Sequence, residues 1–127
     1  MANLSKKVKN MIKIYHNPRC KKSRAGLQYL QEKTSDIEII LYLKDAPFTE
    51  KSFSDILKKL DKKPLEMLRT QEKEYKQNYK GKEFLDKEWI KIMVENPRFI
   101  NRPIVEISEK AVWADPPENI DSLNLIN

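Results

Sequence analysis

The order of hydrophobic periods along the chain predicts an α/β domain, on three observations: a β-α-β opening, a middle stretch that reads as helix in every window, and a β-β-α ending. Met11-Ile-Lys-Ile-Tyr15 alternates well enough to be the first strand. Asn17-Pro18 breaks it. From Cys20 onward the period becomes helical, with Leu27 and Leu30 facing a core and Lys21, Lys22, Gln28, Gln31 and Glu32 facing water. Residues 37–43 form an apolar run with β-branched members, predicted as a strand covered on both faces. Lys44-Asp45-Ala46-Pro47 ends it.

Behind Thr49 as N-cap, Phe53, Ile56, Leu57 and Leu60 recur at the i, i+3, i+4, i+7 spacing of one helix face. Pro64 suits the first turn of a short helix holding Leu65, Leu68 and Arg69. Leu85, Trp89, Ile92 and Met93 make another stripe, with Asp86 near its start and Asn96-Pro97 beyond its end. The period then shortens. Residues 104–107 and 111–114 read as strands joined through Ser108-Glu109-Lys110. Asp115-Pro116-Pro117-Glu118 offers an N-cap, helix-start prolines and a return carboxylate for a last short helix. A β-α-β opening whose crossover helix starts at a cysteine, followed later by a hairpin and a helix, is the layout of a thioredoxin-like, three-layer domain with a mixed sheet. Residues 11–127 are expected to form that single domain, with a helical insertion at about 48–100, after a disordered basic leader at 1–10.

The composition agrees with one core under a charged surface: 39% of the 127 residues are hydrophobic and 35% charged. Only two glycines are present, which excludes a collagen-like or low-complexity chain. The longest apolar run falls far short of the roughly 20 residues of a membrane helix. Lys and Arg total 25 against 19 Asp and Glu, a net charge of +6, but the lysines interleave with acids along all the helices. That pattern reads as a solvated surface, so neither a membrane nor direct nucleic-acid binding is expected. A single cysteine rules out an intramolecular disulfide framework and a cysteine-built zinc site. A lone thiol, with no apolar stretch of signal-peptide length behind the basic N-terminus, points to a reducing cytoplasm.

Cys20 follows Pro18-Arg19 and directly precedes a predicted helix. Free N–H groups and partial positive charge at a helix N-terminus favour thiolate over thiol, and Arg19, Lys21, Lys22 and Arg24 add a field of the same sign. The same N–H groups form an anion site, so nucleophile and anion pocket coincide. A lone cysteine is more often a small buried hydrophobe, but the polar, basic flanks favour the reactive reading here. Ser23, three residues on, can donate to the thiolate or act as an ordinary helix-end residue. His16, the one histidine, can tune the thiolate, shuttle a proton or simply bond at a strand end. Nothing beside it suggests a metal site.

The stretch from Ile14 to Arg24, Ile-Tyr-His-Asn-Pro-Arg-Cys-Lys-Lys-Ser-Arg, closely resembles the glutaredoxin-coupled arsenate reductase family, whose fold is thioredoxin-like. Leu68-Arg69 ahead of Glu74-Tyr75, and Asn101-Arg102-Pro103-Ile104-Val105, follow in the family's order, so the likeness runs from about Met11 to Ile120. The resemblance implies that Cys20 is the nucleophile, with His16 and Ser23 as its tuning neighbours. It implies that Arg69 and Arg102 bind the arsenic oxyanion, and that Pro103, preceded by a cis bond, faces the cysteine. Two guanidinium groups suit a tetrahedral oxyanion because each engages it bidentately and stays charged at any working pH.

Reducing arsenate takes two electrons from thiols, and this chain supplies one sulfur; the other must come from outside. By resemblance, Cys20 displaces water from arsenate, glutathione forms a mixed thiol–arsenic adduct, and glutaredoxin helps release arsenite. The implied protein is a monomer with no bound cofactor and with glutathione as co-substrate. One position departs from the pattern. The family often carries a third arginine before the proline that opens the last helix, where this chain has Asp115, a residue expected to cap that helix. A carboxylate there repels an oxyanion, which keeps open a glutathione-dependent thiol transferase that does not act on arsenate. A redox-responsive regulator that docks on RNA polymerase, similar to the Spx-type proteins, is the other alternative; intact Arg69 and Asn101-Arg102-Pro103 favour an enzyme.

Overall fold

A computed structural model describes residues 11–125, so the leader expected at 1–10 lies outside the described residues. The chain divides into two compact units. One is discontinuous, built from the chain up to Asp45 and from Arg102 onward; the other is the continuous stretch Ala46–Asn101, where the helical insertion was expected.

The discontinuous unit holds a four-stranded mixed sheet in the order β2-β1-β3-β4. Strand β1 (Ile12–His16) leads into helix α1 (Lys21–Lys33) and then β2 (Ile37–Leu41), which pairs parallel to β1 with Ile14 opposite Ile39. Strands β3 (Ile104–Ile107) and β4 (Lys110–Trp113) form an antiparallel hairpin, and β3 pairs antiparallel to β1, Ile14 opposite Val105. Ser108 takes the left-handed conformation that the tight hairpin connection needs. The core gathers Ile12, Ile14, Leu30, Val105, Ala114, Ile120 and Leu123, alternate residues of the strands meeting one stripe of α1 and the last turns. Helix α1 approaches the hairpin very closely at Gly26. A Cβ there would lie 2.6 Å from Pro103 Cγ and 3.2 Å from the Ala114 carbonyl oxygen, so only glycine fits.

Three expectations need correction in this unit. Glu38 and Ile39 are exposed, Ile39 at 45%, and no residue of β2 is fully buried, so the strand is not covered on both faces; among the described residues it is also the edge of the sheet. A run of apolar residues cannot distinguish these cases, because periodicity reports apolar content and not the number of neighbours. The apolar run also ends early, as residues Tyr42–Asp45 turn into a single helical turn, α2. The last segment, Pro117–Leu123, is a 3-10 helix flanked by Pro116, with the Asp115–Pro116 bond cis. Asp115 therefore precedes the flanking residue and does not cap.

The continuous unit contains α3 (Glu50–Leu60), α4 (Lys73–Asn78) and α5 (Asp86–Glu95), with 3-10 turns at Pro64–Met67 and Pro97–Phe99. Thr49 caps α3 as expected: its Oγ1 accepts the Ser52 N–H at 3.0 Å, while Ser52 Oγ accepts the Thr49 N–H at 2.9 Å. Phe53, Ile56, Leu57 and Leu60 are the buried face of this helix. Trp89 and Met93 are the buried face of α5. Tyr75, Tyr79, Phe84, Trp89 and Phe99 form an aromatic cluster, with Phe84 and Trp89 edge to face at 5.0 Å between centroids. The helix expected to hold Leu65, Leu68 and Arg69 is a single turn. Leu68 instead bridges Ile100, and the Arg69 N–H donates to the Phe99 carbonyl at 2.7 Å. Among the described residues no helix is long and apolar enough to cross a membrane.

Candidate active site

The first unit concentrates buried polar side chains in one short stretch: His16, Asn17 and Ser23 are all more than nine-tenths buried. His16 ends β1, and the turn that follows is closed by two bonds to Asn17. The Cys20 N–H donates to the Asn17 carbonyl at 3.0 Å, and the Arg19 N–H donates to Asn17 Oδ1 at 3.1 Å. Asn17-Pro18 breaks the strand as the sequence suggested, yet the organising role of the Asn17 side chain had no sequence signal beyond turn propensity. Cys20 occupies the N-cap position of α1 in extended conformation. Its side chain is partly exposed.

Burial pushes the Cys20 thiol up, but the opposing influences win. The backbone amide of Ser23, then the hydrogen bond and charge of the Arg102 guanidinium, then the backbone amide of Lys22 hold its pKa below the ordinary thiol value. The helix start and Arg102 thus act on one atom. Arg102 precedes Pro103 through a cis bond, and Trp113 Nε1 donates to the Arg102 carbonyl at 3.3 Å.

Ser23 reaches the sulfur by its backbone and not by its hydroxyl. Ser23 Oγ accepts the Asn17 N–H at 3.0 Å and lies 2.7 Å from His16 Nδ1. The hydroxyl so ties the first turn of α1 to the end of β1, which is the helix-end role of the two that the sequence left open. Burial, and then the charge of Arg24, lower the His16 pKa below the ordinary imidazole value, so the ring is neutral at pH 7. A neutral ring contributes no positive charge to the sulfur. Its contribution is positional, through Ser23.

Asp115 pairs with Lys22 at 3.4 Å, so the carboxylate neutralises a cation on the first turn of α1. Its carbonyl accepts from Asn119 Nδ2 at 3.3 Å. The structure therefore brings together His16, Ser23, Cys20 and Arg102 in the first unit, with Pro103, after its cis bond, lying against α1 at Gly26. Arg69 stands in the other unit, where its Nε donates to Glu72 Oε2 at 3.2 Å and its side chain is 15% exposed. Among the described residues no cluster of His, Cys, Asp and Glu could hold a metal ion.

Comparison with known proteins gives a consistent answer. The ArsC family model matches residues 15–123. An arsenate reductase of Neisseria meningitidis is 36% identical over 114 residues, 88% of this chain and 97% of that protein. The uncharacterized protein YfgD of Escherichia coli is 39% identical over 111 residues, 86% of this chain and 92% of its own. Among solved structures, an arsenate reductase from Vibrio cholerae superposes with a TM-score of 0.82 at 30% identity, covering 92% of this chain and 98% of that one. The mixed sheet with its helices is accordingly the thioredoxin-like fold of these proteins. With a family model spanning most of the chain and relatives aligned nearly end to end, this protein belongs to the ArsC family.

Proposed function

We propose that this protein is a thiol-dependent arsenate reductase of the glutaredoxin-coupled type, a cytoplasmic monomer in which Cys20 is the nucleophile. The observation that carries the proposal is the partly exposed sulfur at the start of α1, held toward the thiolate by Arg102 and two backbone amides. Relatives named as arsenate reductases supply the substrate class. Arg102 and Arg69 serve as oxyanion ligands, each able to present a planar pair of N–H donors.

In the first step the Cys20 thiolate attacks arsenic, an S–As bond forms, and an arsenate oxygen leaves as water after accepting protons. A second thiol, glutathione, then replaces another oxygen, again releasing water. When a further thiolate, that of glutaredoxin, attacks the glutathione sulfur, an S–S bond forms and the S–As bond breaks. Its electron pair passes to arsenic, which becomes arsenic(III), and hydrolysis frees arsenite and the Cys20 thiolate. Throughout, the developing negative charge sits where α1 amides and Arg102 already point. His16 and Ser23 keep that geometry: the hydroxyl fastens the first turn of α1, so the Ser23 amide stays aimed at the sulfur.

The Lys22–Asp115 pair favours a second reading, a glutathione-dependent thiol transferase, because it neutralises one cation on the first turn of α1, next in sequence but one to Cys20. A coupled assay with arsenate, glutathione and glutaredoxin separates the two when run beside one with a mixed disulfide as substrate. Arsenate turnover that requires glutaredoxin is the expected result, and Cys20→Ser is expected to lower it by at least about a thousandfold. The alkylation rate of Cys20 should rise with pH and level off through a midpoint below that of a free thiol. A midpoint at about 8.5 or above overturns the nucleophile assignment.

A further inference from the structure

A cleft of about 320 Å³ opens in the first unit against the turn that carries the cysteine. That volume is at the small end of ligand sites, about 300–1,000 Å³. Pro18, Leu41 and Leu43 supply its apolar lining, and Arg19 and Lys44 its cationic lining. His16 and Asn17, both more than nine-tenths buried, supply its polar lining.

The hydrogen-bond pattern fixes what this lining can recognise. Ser23 is fully buried, and its oxygen already accepts the Asn17 N–H. Donating its own proton to His16 Nδ1 leaves no buried hydroxyl hydrogen without an acceptor, and that assignment puts the imidazole proton on Nε2. The neutral state of the ring agrees. Asn17 Oδ1 is occupied by the Arg19 N–H, which leaves the Nδ2 group as the side chain's remaining polar function. Among the described residues neither His16 Nε2 nor Asn17 Nδ2 has a partner. The lining thus holds two cationic side chains, an imidazole N–H and an amide NH2, and no carboxylate. Such a cavity fits a molecule with an apolar stem and carboxylate acceptors. Arg19, which lines the cleft, is bonded directly to Cys20, so the cleft adjoins the turn that leads into the reacting residue.

We propose that this cleft docks the incoming small thiol of the reaction by its carboxylates, which makes it a subsite for a peptide-like, carboxylate-bearing thiol of the glutathione class. The proposal rests on reading Cys20 as the nucleophile. It assigns His16 and Asn17 to carboxylate recognition, Arg19 and Lys44 to charge attraction, and Leu41 and Leu43 to the stem.

The test uses the fact that Cys20 is the one cysteine of the chain, so a thionitrobenzoate disulfide labels a single sulfur. An added thiolate attacks the Cys20 sulfur, the new S–S bond forms, the old one breaks, and the coloured thionitrobenzoate anion leaves. Glutathione is expected to give a rate that saturates with concentration and is inhibited by S-methylglutathione. 2-Mercaptoethanol, which lacks a carboxylate, is expected to give a linear, uninhibited one. Lys44→Glu and Leu43→Glu should each lower the glutathione rate about tenfold more than the mercaptoethanol rate, a difference of about 1.4 kcal/mol. Lys91→Glu, the same charge change on an exposed position of the other unit, should not alter the ratio. Equal responses of both thiols to the cleft variants, or an equal effect of Lys91→Glu, overturn the subsite. Failure of arsenate turnover with the glutathione preference intact would instead overturn the arsenate reading and leave the subsite standing.

Discussion

The two units bury different kinds of side chain. In the continuous unit the buried positions include Phe53, Ile56, Leu57, Met67, Trp89, Met93 and Phe99, with Asn101 as its buried polar residue at the very end. In the discontinuous unit the aliphatic core of Ile12, Ile14, Leu30, Val105 and Ile120 runs straight into His16, Asn17 and Ser23. Burying polar groups costs stability unless each finds a partner, so a fold keeps few of them. Three of them within eight residues, bonded to one another around a partly exposed sulfur, mark where packing has yielded to chemistry. The aromatic unit meets a simpler demand, rigidity enough to hold Arg69, whose backbone is pinned to Phe99 and whose guanidinium is steadied by Glu72.

If that division is right, the largest stability loss comes from the aromatic cluster and leaves the thiol alone. Trp89 is 3% exposed and meets the rings of Tyr75, Tyr79 and Phe84. Trp89→Ala is expected to cost about 3–5 kcal/mol in urea unfolding. Under native conditions the pH midpoint of Cys20 alkylation should stay where it is in the parent. A shifted midpoint would show that the sulfur's environment depends on packing in the other unit.

The two arginines sharpen the contrast on the chemical side. Arg102 acts on the sulfur by hydrogen bond and charge, so its loss affects both nucleophile and oxyanion. Arg102→Ala should lower kcat/KM about 10²–10³-fold and raise the thiol midpoint. Arg69→Ala should act through KM and leave the midpoint unchanged, since Arg69 is not among the groups that set the thiol's pKa. Matching midpoint shifts in both variants would erase the distinction.

Much of this arrangement was legible in the chain. Thr49 and the stripe behind it pointed to α3, because a cap and a 3.6-residue period are local signals. Cys20 between basic residues and a helical period placed the sulfur at a helix start. Other features were not local. Whether both faces of residues 37–41 are covered depends on which distant elements pack over the sheet, which no window of sequence contains. The prolines after Asp115 look like a helix start in either isomer, yet the cis bond and 3-10 geometry leave Asp115 to pair with Lys22, far earlier in the chain. The Ser23 hydroxyl is taken by His16 and the Asn17 N–H, partners that only the folded chain brings to it. The cleft has no sequence signal for a similar reason, since its lining comes from two separate stretches, 16–19 and 41–44.

The smallest effect concerns the two helix starts. Thr49 completes a reciprocal capping box, whereas Cys20 holds the same position on α1 with no side-chain cap bond. Thr49→Ala should therefore cost about 1 kcal/mol. Cys20→Ser, which removes the reactive sulfur, should gain a few tenths of a kcal/mol up to about 1 at low pH, because serine is a good cap and the thiol there is uncharged. That advantage shrinks with pH. A thiol whose pKa is lower folded than unfolded binds fewer protons in the native state across the interval between the two values, so parent stability rises with pH there. The contribution is complete above the unfolded value of about 8.5 and is lost as pH falls through the folded one. Urea midpoints of parent and Cys20→Ser measured across this range should converge as pH rises. A constant offset would mean that the α1 terminus and Arg102 do not favour the thiolate.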